Sequence, residues 1–300
     1  MPENKKVFFI INKYSGIGYQ PEVEGKITTR CGALNMECTI ELTQGRGHAT
    51  ELAQRAVREG FKLVFVMGGD GTVNEVARGL VHSDVMMGIL PKGSGNGLAR
   101  HLGIPLKFPA MLELLNSTRT IAMDTISINE HLSVNVSGIG FDGHIAGLFG
   151  KNGKRGLIGY GKLVVREFFR FKEFCTHLVI DDQLLTRDTF ILALANSSQF
   201  GNNARVAPEA SVCDNRIDVC FIRKVPLYQT LGFVRKMFDG TLHQSSFVEI
   251  VRAQKITIDF LEPMPFHIDG ESMEPVKNFS IKIQPGSLKM LVPIHQKDKI

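Results

Sequence analysis

Five residues, Gly68-Gly69-Asp70-Gly71-Thr72, have the types and spacing to handle phosphate. Three glycines in four positions let the backbone turn sharply and bring bare N–H groups against a ligand. Val73, Val76, Ala77 and Leu80 then recur at helical spacing, and the positive end of that helix points back at the turn, which favours an anion there. Asp70 is the unusual member, because a carboxylate beside phosphates repels them unless a cation or a proton in transit comes between. The same pattern also suits a tight turn whose Asp caps the helix. Ahead of the turn, Leu63-Val64-Phe65-Val66-Met67 is long enough for a strand buried on both faces and too short for a helix.

The elements that position this turn repeat its plan. Val7–Ile11 reads as a buried strand that exits into Asn12-Lys13-Tyr14-Ser15-Gly16, a turn that offers amide and hydroxyl groups. Cys38–Leu42 leads to Thr43-Gln44-Gly45-Arg46-Gly47-His48, and a helix follows with Ala49, Leu52, Ala53, Ala56 and Val57 on one face. Val85–Leu90 exits into Pro91-Lys92-Gly93-Ser94-Gly95-Asn96-Gly97. Strands alternating with helices predict a parallel, doubly wound sheet, in which ligands bind beyond the carboxyl ends of the strands. Each glycine-rich segment lies at such an end.

After a helix near Pro109–Leu115 the pattern changes. Met123–Ile128, Leu132–Val136, Cys175–Ile180, Phe190–Ala195, Ile217–Ile222, Phe247–Val251, Lys255–Phe260 and Asn278–Ile283 read as strands, several with the one-sided alternation of antiparallel sheets. A helix is expected over Leu227–Asp239, stopped by Gly240. The fold class is therefore α/β: an N-terminal doubly wound nucleotide-binding domain over 1–124, then an antiparallel, β-rich, sandwich-like domain over 125–288. Residues 289–300 form a tail free to return to the first domain.

Composition narrows the function classes. With 43% hydrophobic and 22% charged residues and a net charge of +5, the chain is an ordinary globular protein, not a dedicated nucleic-acid binder. Cys31, Cys38, Cys175, Cys213 and Cys220 show neither a disulfide framework nor zinc spacing, so reduced thiols and a cytoplasmic setting are expected. His48, His101, His144 and His267 lack ligand-like spacing and read as loop or core residues. The apolar N-terminal run is too short for a signal peptide, and none is long enough to span a bilayer, so any membrane contact is peripheral. Lys151–Phe174 is basic and aromatic: either a membrane-touching surface or, the favoured reading, a helix with a core-facing aromatic stripe. No P-loop is present. The glycine pattern Gly138-Ile139-Gly140-Phe141-Asp142-Gly143 reads as a structural turn, since no acidic residue ends a second parallel strand about 20 positions on.

Gly68–Val76, together with Asn12–Gly16, Thr43 with Gly47-His48-Ala49, and Pro91–Asn96, resembles the diacylglycerol kinase catalytic family, which includes bacterial lipid kinases and the sphingosine and ceramide kinases. The likeness continues through Asp142, Asp214-Asn215-Arg216-Ile217-Asp218 and Asp269-Gly270-Glu271, and covers nearly the whole chain in the family's order. It implies ATP- and Mg²⁺-dependent phosphorylation of the hydroxyl of a long-chain lipid, of diacylglycerol or sphingoid or ceramide type, with a place in phospholipid biosynthesis. Asn12, Lys13, Tyr14, Ser15, Gly16, Thr43, Gly68, Gly69, Asp70, Gly71, Thr72, Val73, Asn74 and Ser94 would line the ATP site. Asp214 would hold Mg²⁺ with carbonyls near Ser211 and Arg216. Glu271 would accept the lipid's proton, with Asp269 beside it and Asp70 as a further candidate, in a cleft between the domains. The chain departs from the family at Lys13, where Pro is usual, and at Asn215, where Gly is usual. An NAD kinase-like enzyme, sharing the glycine turn, and a catalytically silent nucleotide- or lipid-binding protein are the alternatives. The lipid's identity and the oligomeric state stay open.

Overall fold

Apolar runs of five or six residues build the inner strands of the first sheet, and the helices between them cover it. The computed structural model describes residues 5–16, 20–151 and 157–294. It divides into two units, Met1–Thr125 with Pro285–Ile300, and Ile126–Gln284.

The first unit runs β1 (Lys5–Ile11), α1 (Glu22–Ala33), β2 (Met36–Leu42), α2 (His48–Arg58), β3 (Leu63–Gly68), α3 (Asp70–Leu80), β4 (Met86–Pro91), then short helices α4 (Gly97–His101) and α5 (Phe108–Met111). The strand order is β2-β1-β3-β4, all parallel. Val7–Ile11 are fully buried, as a central strand covered on both faces must be. On α2 the buried residues Ala49, Leu52, Ala53 and Ala56 form one stripe against the sheet and α3. A Cβ at Gly79 of α3 would fall 2.5 Å from Ala53 Cβ, so only glycine lets these two helices approach so closely.

β5 (Thr118–Ile128) leads into the second unit: β6 (His131–Ser133), β7 (Val136–Gly140), α6 (Phe141–Lys151), α7 (Leu157–Arg170), β8 (Phe174–Ile180), β9 (Gln183–Thr189), β10 (Ile191–Ala195), β11 (Ile217–Ile222), α8 (Leu227–Asp239), β12 (Val248–Ala253), β13 (Lys255–Met264), β14 (Phe266–Ile268), β15 (Glu271–Ser272) and β16 (Val276–Pro293). One antiparallel sheet has the order β12-β11-β10-β7-β14-β15. In the other, β13 pairs antiparallel with β16 and β8, and β8 with β9. Leu192, Leu194, Val219 and Phe221 of the first sheet share one core cluster with Leu178, Ile256, Ile258 and Phe279 of the second, which makes the unit a sandwich. β16 serves both units: its first half pairs with β13, while Lys289 and Met290 run parallel to β4.

Two local expectations are corrected. The single strand expected over Leu132–Val136 is two, β6 and β7, separated at Val134-Asn135. Gly138–Gly143 is the end of β7 and the start of α6, not a free turn. In the basic aromatic stretch, residues 152–156 lie outside the described residues. Phe168 and Phe171 of that stretch pack on Phe141, and Phe141 stacks on Phe190 at 4.5 Å, which is the core-facing stripe. The α6–α7 pair is tied by buried Glu167, which accepts from His144 at 3.1 Å and Arg166 at 2.8 Å.

Candidate active site

Three loops interlock at the carboxyl ends of β1, β3 and β4. Asn12 follows β1, and its Nδ2 donates to Thr72 Oγ1 at 2.8 Å while its Oδ1 accepts the Tyr14 N–H. Ser15 Oγ accepts the Gly69 N–H at 3.4 Å. A Cβ at Gly16, where φ is +63°, would fall 2.0 Å from the Lys92 carbonyl oxygen, so the first and third loops touch through bare backbone. Gly69 and Gly93 meet in the same way: a Cβ at 93 would come within 2.6 Å of Gly69 Cα. Thr43, at the end of β2, is buried and donates its N–H to the Ile11 carbonyl. The glycines therefore serve loop-to-loop contact as much as ligand approach.

Asp70 opens α3, whose N-terminus carries no side-chain cap. Its carboxylate caps a neighbour instead. Oδ2 accepts the Asn96 N–H at 2.9 Å and Oδ1 the Gly97 N–H at 2.7 Å, at the start of α4. Asn96, left-handed at φ +50°, locks its own loop through two bonds to the Gly93 backbone. Burial holds the Lys92 amine below its usual value in this loop. Ser94 is exposed at the loop's tip, Tyr14 is exposed, and Val73 is buried in the core with Asn74 beside it.

In the second unit, Asp269 and Gly270 are the central residues of the hairpin between β14 and β15, with φ of +48° and +87°. Both positive values are those of a type I′ turn, which Asp-Gly favours. The Asp269 carboxylate accepts three hydrogen bonds: from Ser133 Oγ at 2.6 Å, Asn135 N at 3.0 Å and Val134 N at 2.9 Å. It pins the hairpin to the β6–β7 bend. His267, buried on β14, accepts the Gly270 N–H at Nδ1, which puts its proton on Nε2, facing Asp142 Oδ2 at 3.2 Å. A Cβ at 138 would fall 1.8 Å from that Asp142 oxygen, so Gly138 makes room for the carboxylate. Glu271 begins β15, half-buried, directly after this braced turn.

Ser211, Asp214 and Arg216 lie on the segment before β11. Asp214 Oδ1 accepts the Arg216 N–H at 3.0 Å, and Asn215 takes the left-handed conformation at φ +59°. Among the described residues no cluster of three or more His, Cys, Asp or Glu side chains could hold a metal. A carboxylate with main-chain carbonyls is nonetheless the hard-oxygen donor set that suits Mg²⁺ retaining several waters. Asp218 supports the fit. It is 2% exposed, its Oδ2 has no hydrogen-bond partner among the described residues, and burial, with the Asp214 charge adding, pushes its carboxyl up against the pull of Arg252. A cation nearby would relieve both.

Residue spacing does not reveal some of these roles. Glu75 on α3 reaches the start of α2, accepting the N–H groups of Gly47 at 3.0 Å and Ala49 at 3.3 Å. The Asp142–His267 pair spans 125 positions and carries no local signal. Asn96 gives a hint, as an Asn in a glycine-rich stretch that tolerates the left-handed region.

Residues 6–128 match the model of the diacylglycerol kinase catalytic domain, and residues 136–292 that of the YegS C-terminal NAD kinase beta sandwich-like domain. The chain is 26% identical over 299 residues to a Pseudomonas aeruginosa protein named "Probable lipid kinase YegS-like", covering 98% of this chain and 96% of that one. A protein of the same name from Chromohalobacter salexigens is 26% identical over 260 residues, covering 85% of this chain and 83% of that one. The crystal structure of a diacylglycerol kinase from Bacillus anthracis shares the fold, with a TM-score of 0.76 at 20% identity over 99% of this chain and 100% of that one.

Proposed function

Because the chain belongs to the family of lipid kinases built from a diacylglycerol kinase catalytic domain and a YegS-type C-terminal domain, we propose that it transfers the γ-phosphoryl group of ATP to the hydroxyl of a long-chain lipid. The observation that carries this reading is the interlocking of the Asn12–Gly16, Gly68–Thr72 and Lys92–Gly97 loops at the carboxyl ends of parallel strands. Backbone N–H groups at an uncapped helix N-terminus favour phosphate.

In this reading Asn12, Lys13, Tyr14, Ser15, Gly16, Thr43, Gly68–Asn74 and Ser94 form the nucleotide site, Val73 by its backbone alone. Asp70 keeps the third loop in place by accepting the Asn96 and Gly97 N–H groups. Asp214, with the carbonyls of Ser211 and Arg216, would hold Mg²⁺, and Asp218 adds negative charge beside them. When bound, Mg²⁺ supplies the charge neutralisation that phosphoryl transfer needs. Glu271 takes the proton of the lipid hydroxyl. Asp269 orients the turn that carries it, its carboxylate already committed to three donors. The acceptor is of the diacylglycerol or sphingoid–ceramide class, met at a membrane surface. No helix among the described residues is long and apolar enough to cross a bilayer.

The test is Glu271→Gln, with ATP binding and phosphoryl transfer measured separately. The variant binds ATP normally and loses roughly 10²–10⁴-fold in turnover, as expected of a missing general base. Full activity would move the base elsewhere, and loss of ATP binding would assign Glu271 to the metal. Labelled ATP offered with a total lipid extract, and separately with NAD, identifies the acceptor class; transfer to NAD alone would overturn the lipid reading.

A further inference from the structure

α8 carries apolar side chains on two faces, and only one is used. Phe233 and Met237 pack on the cluster formed by Ala193, Cys220 and Ile222 on the outer face of the β12-to-β15 sheet. Leu227, Leu231, Val234 and Phe238 recur at intervals of four, three and four, one stripe along the helix, with Tyr228 beside it. All five are exposed: Leu231 is 83% and Tyr228 82% accessible. No residue of α8 is fully buried, yet the helix is fixed at its ends by Pro226 and by left-handed Gly240. The helix thus keeps its place through its inner face, while the outer stripe has no structural task among the described residues.

The charge around the stripe indicates what covers it. From 223 to 239 the chain has four cations, Arg223, Lys224, Arg235 and Lys236, and one anion, Asp239. Asp239 is paired with Arg235 at 3.3 Å, and Lys224 turns away to the Phe171 carbonyl with Glu173 beside it. Arg223 and Lys236 hydrogen-bond carbonyl oxygens that do not cancel their charge, which leaves the border net positive. Two copies of this face meeting each other would bring like charges together, which opposes self-association. An apolar stripe with a basic border on a short helix matches instead a bilayer with anionic headgroups, into which such a helix sinks lengthwise. A helix of 13 residues is about 20 Å long, so it lies along a surface and does not span.

We propose that the outer face of α8 is a docking surface for anionic lipid bilayers, seating the protein on the membrane that holds its acceptor. The proposal rests on the lipid-kinase reading for its purpose, but not for its physics. The basic aromatic stretch that includes α7 is the competing location, since Val165 and Phe169 are also exposed there.

The experiment sediments the full chain with vesicles of phosphatidylcholine alone and of phosphatidylcholine mixed with phosphatidylglycerol. The wild type binds the mixed vesicles, and binding weakens as salt rises. Leu231→Glu and Tyr228→Glu, at the two most exposed positions, each lower the partition coefficient about tenfold or more while leaving the melting temperature unchanged. Val165→Glu with Phe169→Glu leaves it within a few-fold. Equal binding by Leu231→Glu and wild type, absence of wild-type binding, or loss only in the α7 variant overturns the proposal. So does a dimer that Leu231→Glu dissociates without changing vesicle binding. A water-soluble short-chain lipid, offered as acceptor without vesicles, separates the two readings. Equal turnover by wild type and Leu231→Glu supports both. If neither transfers phosphate to any lipid while vesicle binding still depends on Leu231, the kinase reading falls and docking stands.

Discussion

Asp269→Asn separates a carboxylate that does chemistry from one that holds a turn. Asn keeps the size and tolerates the φ of +48° at this position, so the backbone is not disturbed. With the amide oxygen in the Oδ1 place, the bonds from Ser133 and Asn135 survive, and the NH₂ group then confronts the Val134 N–H, donor against donor. A buried donor left without its acceptor costs about 1–3 kcal/mol, and lost charge assistance in the other two bonds adds on the order of 1 kcal/mol. At roughly 2–4 °C per kcal/mol for a unit of this size, about 2–4 kcal/mol lowers the melting temperature by roughly 4–16 °C. Calorimetry on wild type and variant reads this directly. Phosphoryl transfer assayed well below both transitions stays within about tenfold of wild type, because in the proposed reaction the hydroxyl's proton goes to Glu271. A variant that melts like wild type and has lost activity a hundredfold or more would refute the reasoning and make Asp269 a catalytic group.

Two glycines of the interlocked loops respond in opposite ways. Gly93→Ala forces a Cβ to 2.6 Å from Gly69 Cα, destabilises by about 1–3 kcal/mol and weakens ATP binding, whereas Gly71→Ala meets nothing within 4 Å and leaves thermal stability equal or up to about 1 kcal/mol higher. The Glu167 carboxyl is held below its ordinary 4.5 by the hydrogen bond with His144 and by Arg166. A depressed carboxyl stabilises above its unfolded pKa and loses that stabilisation as pH falls through its folded value, so Glu167→Gln melts earlier at pH 7 and the gap closes progressively in acid below about 4.5. A gap independent of pH would refute this. Mg²⁺ at a hundred times its Kd raises wild-type stability by about 2.7 kcal/mol over an EDTA control. Asp214→Asn and Asp218→Asn each shrink that gain, and a full gain in both variants would exclude the donor set.

The inner strands of the parallel sheet were legible because they are buried on both faces and read as unbroken apolar runs, as at Val7–Ile11 and Leu63–Met67. α8 was legible from its apolar spacing and from Gly240. α1 was not, because only Ile27 and Cys31 of its twelve residues are buried and its stripe is correspondingly faint. β9 escaped for a related reason: only Thr189 is buried in it, and its hairpin from β8 turns through Asp181-Asp182, both with positive φ, without the usual glycine. The split between β6 and β7 is imposed by Asp269, more than 130 positions away, which no local pattern can announce. At the candidate site the motif residues were visible, but their geometry was not. Sequence displays Asp70, Glu75 and Asp269 as available carboxylates, whereas folding commits each of them to backbone N–H groups.

β16 sets a schedule for making this protein. The first unit's sheet gains its final strand from Leu288, Met290, Leu291 and Val292, all buried, although its other strands are complete within the first 125 residues. From Thr125 to Val292 the ribosome adds 292 − 125 = 167 residues, which at about 5–20 residues per second takes roughly 8–33 s. Throughout that interval the nascent first unit has β4 as an open edge, a row of unpaired N–H and C=O groups able to recruit a neighbouring chain. A fragment ending near Thr125 would never leave that state. The residues that close the first sheet are thus made long after its other strands, and a holdase chaperone would have its greatest effect before they arrive.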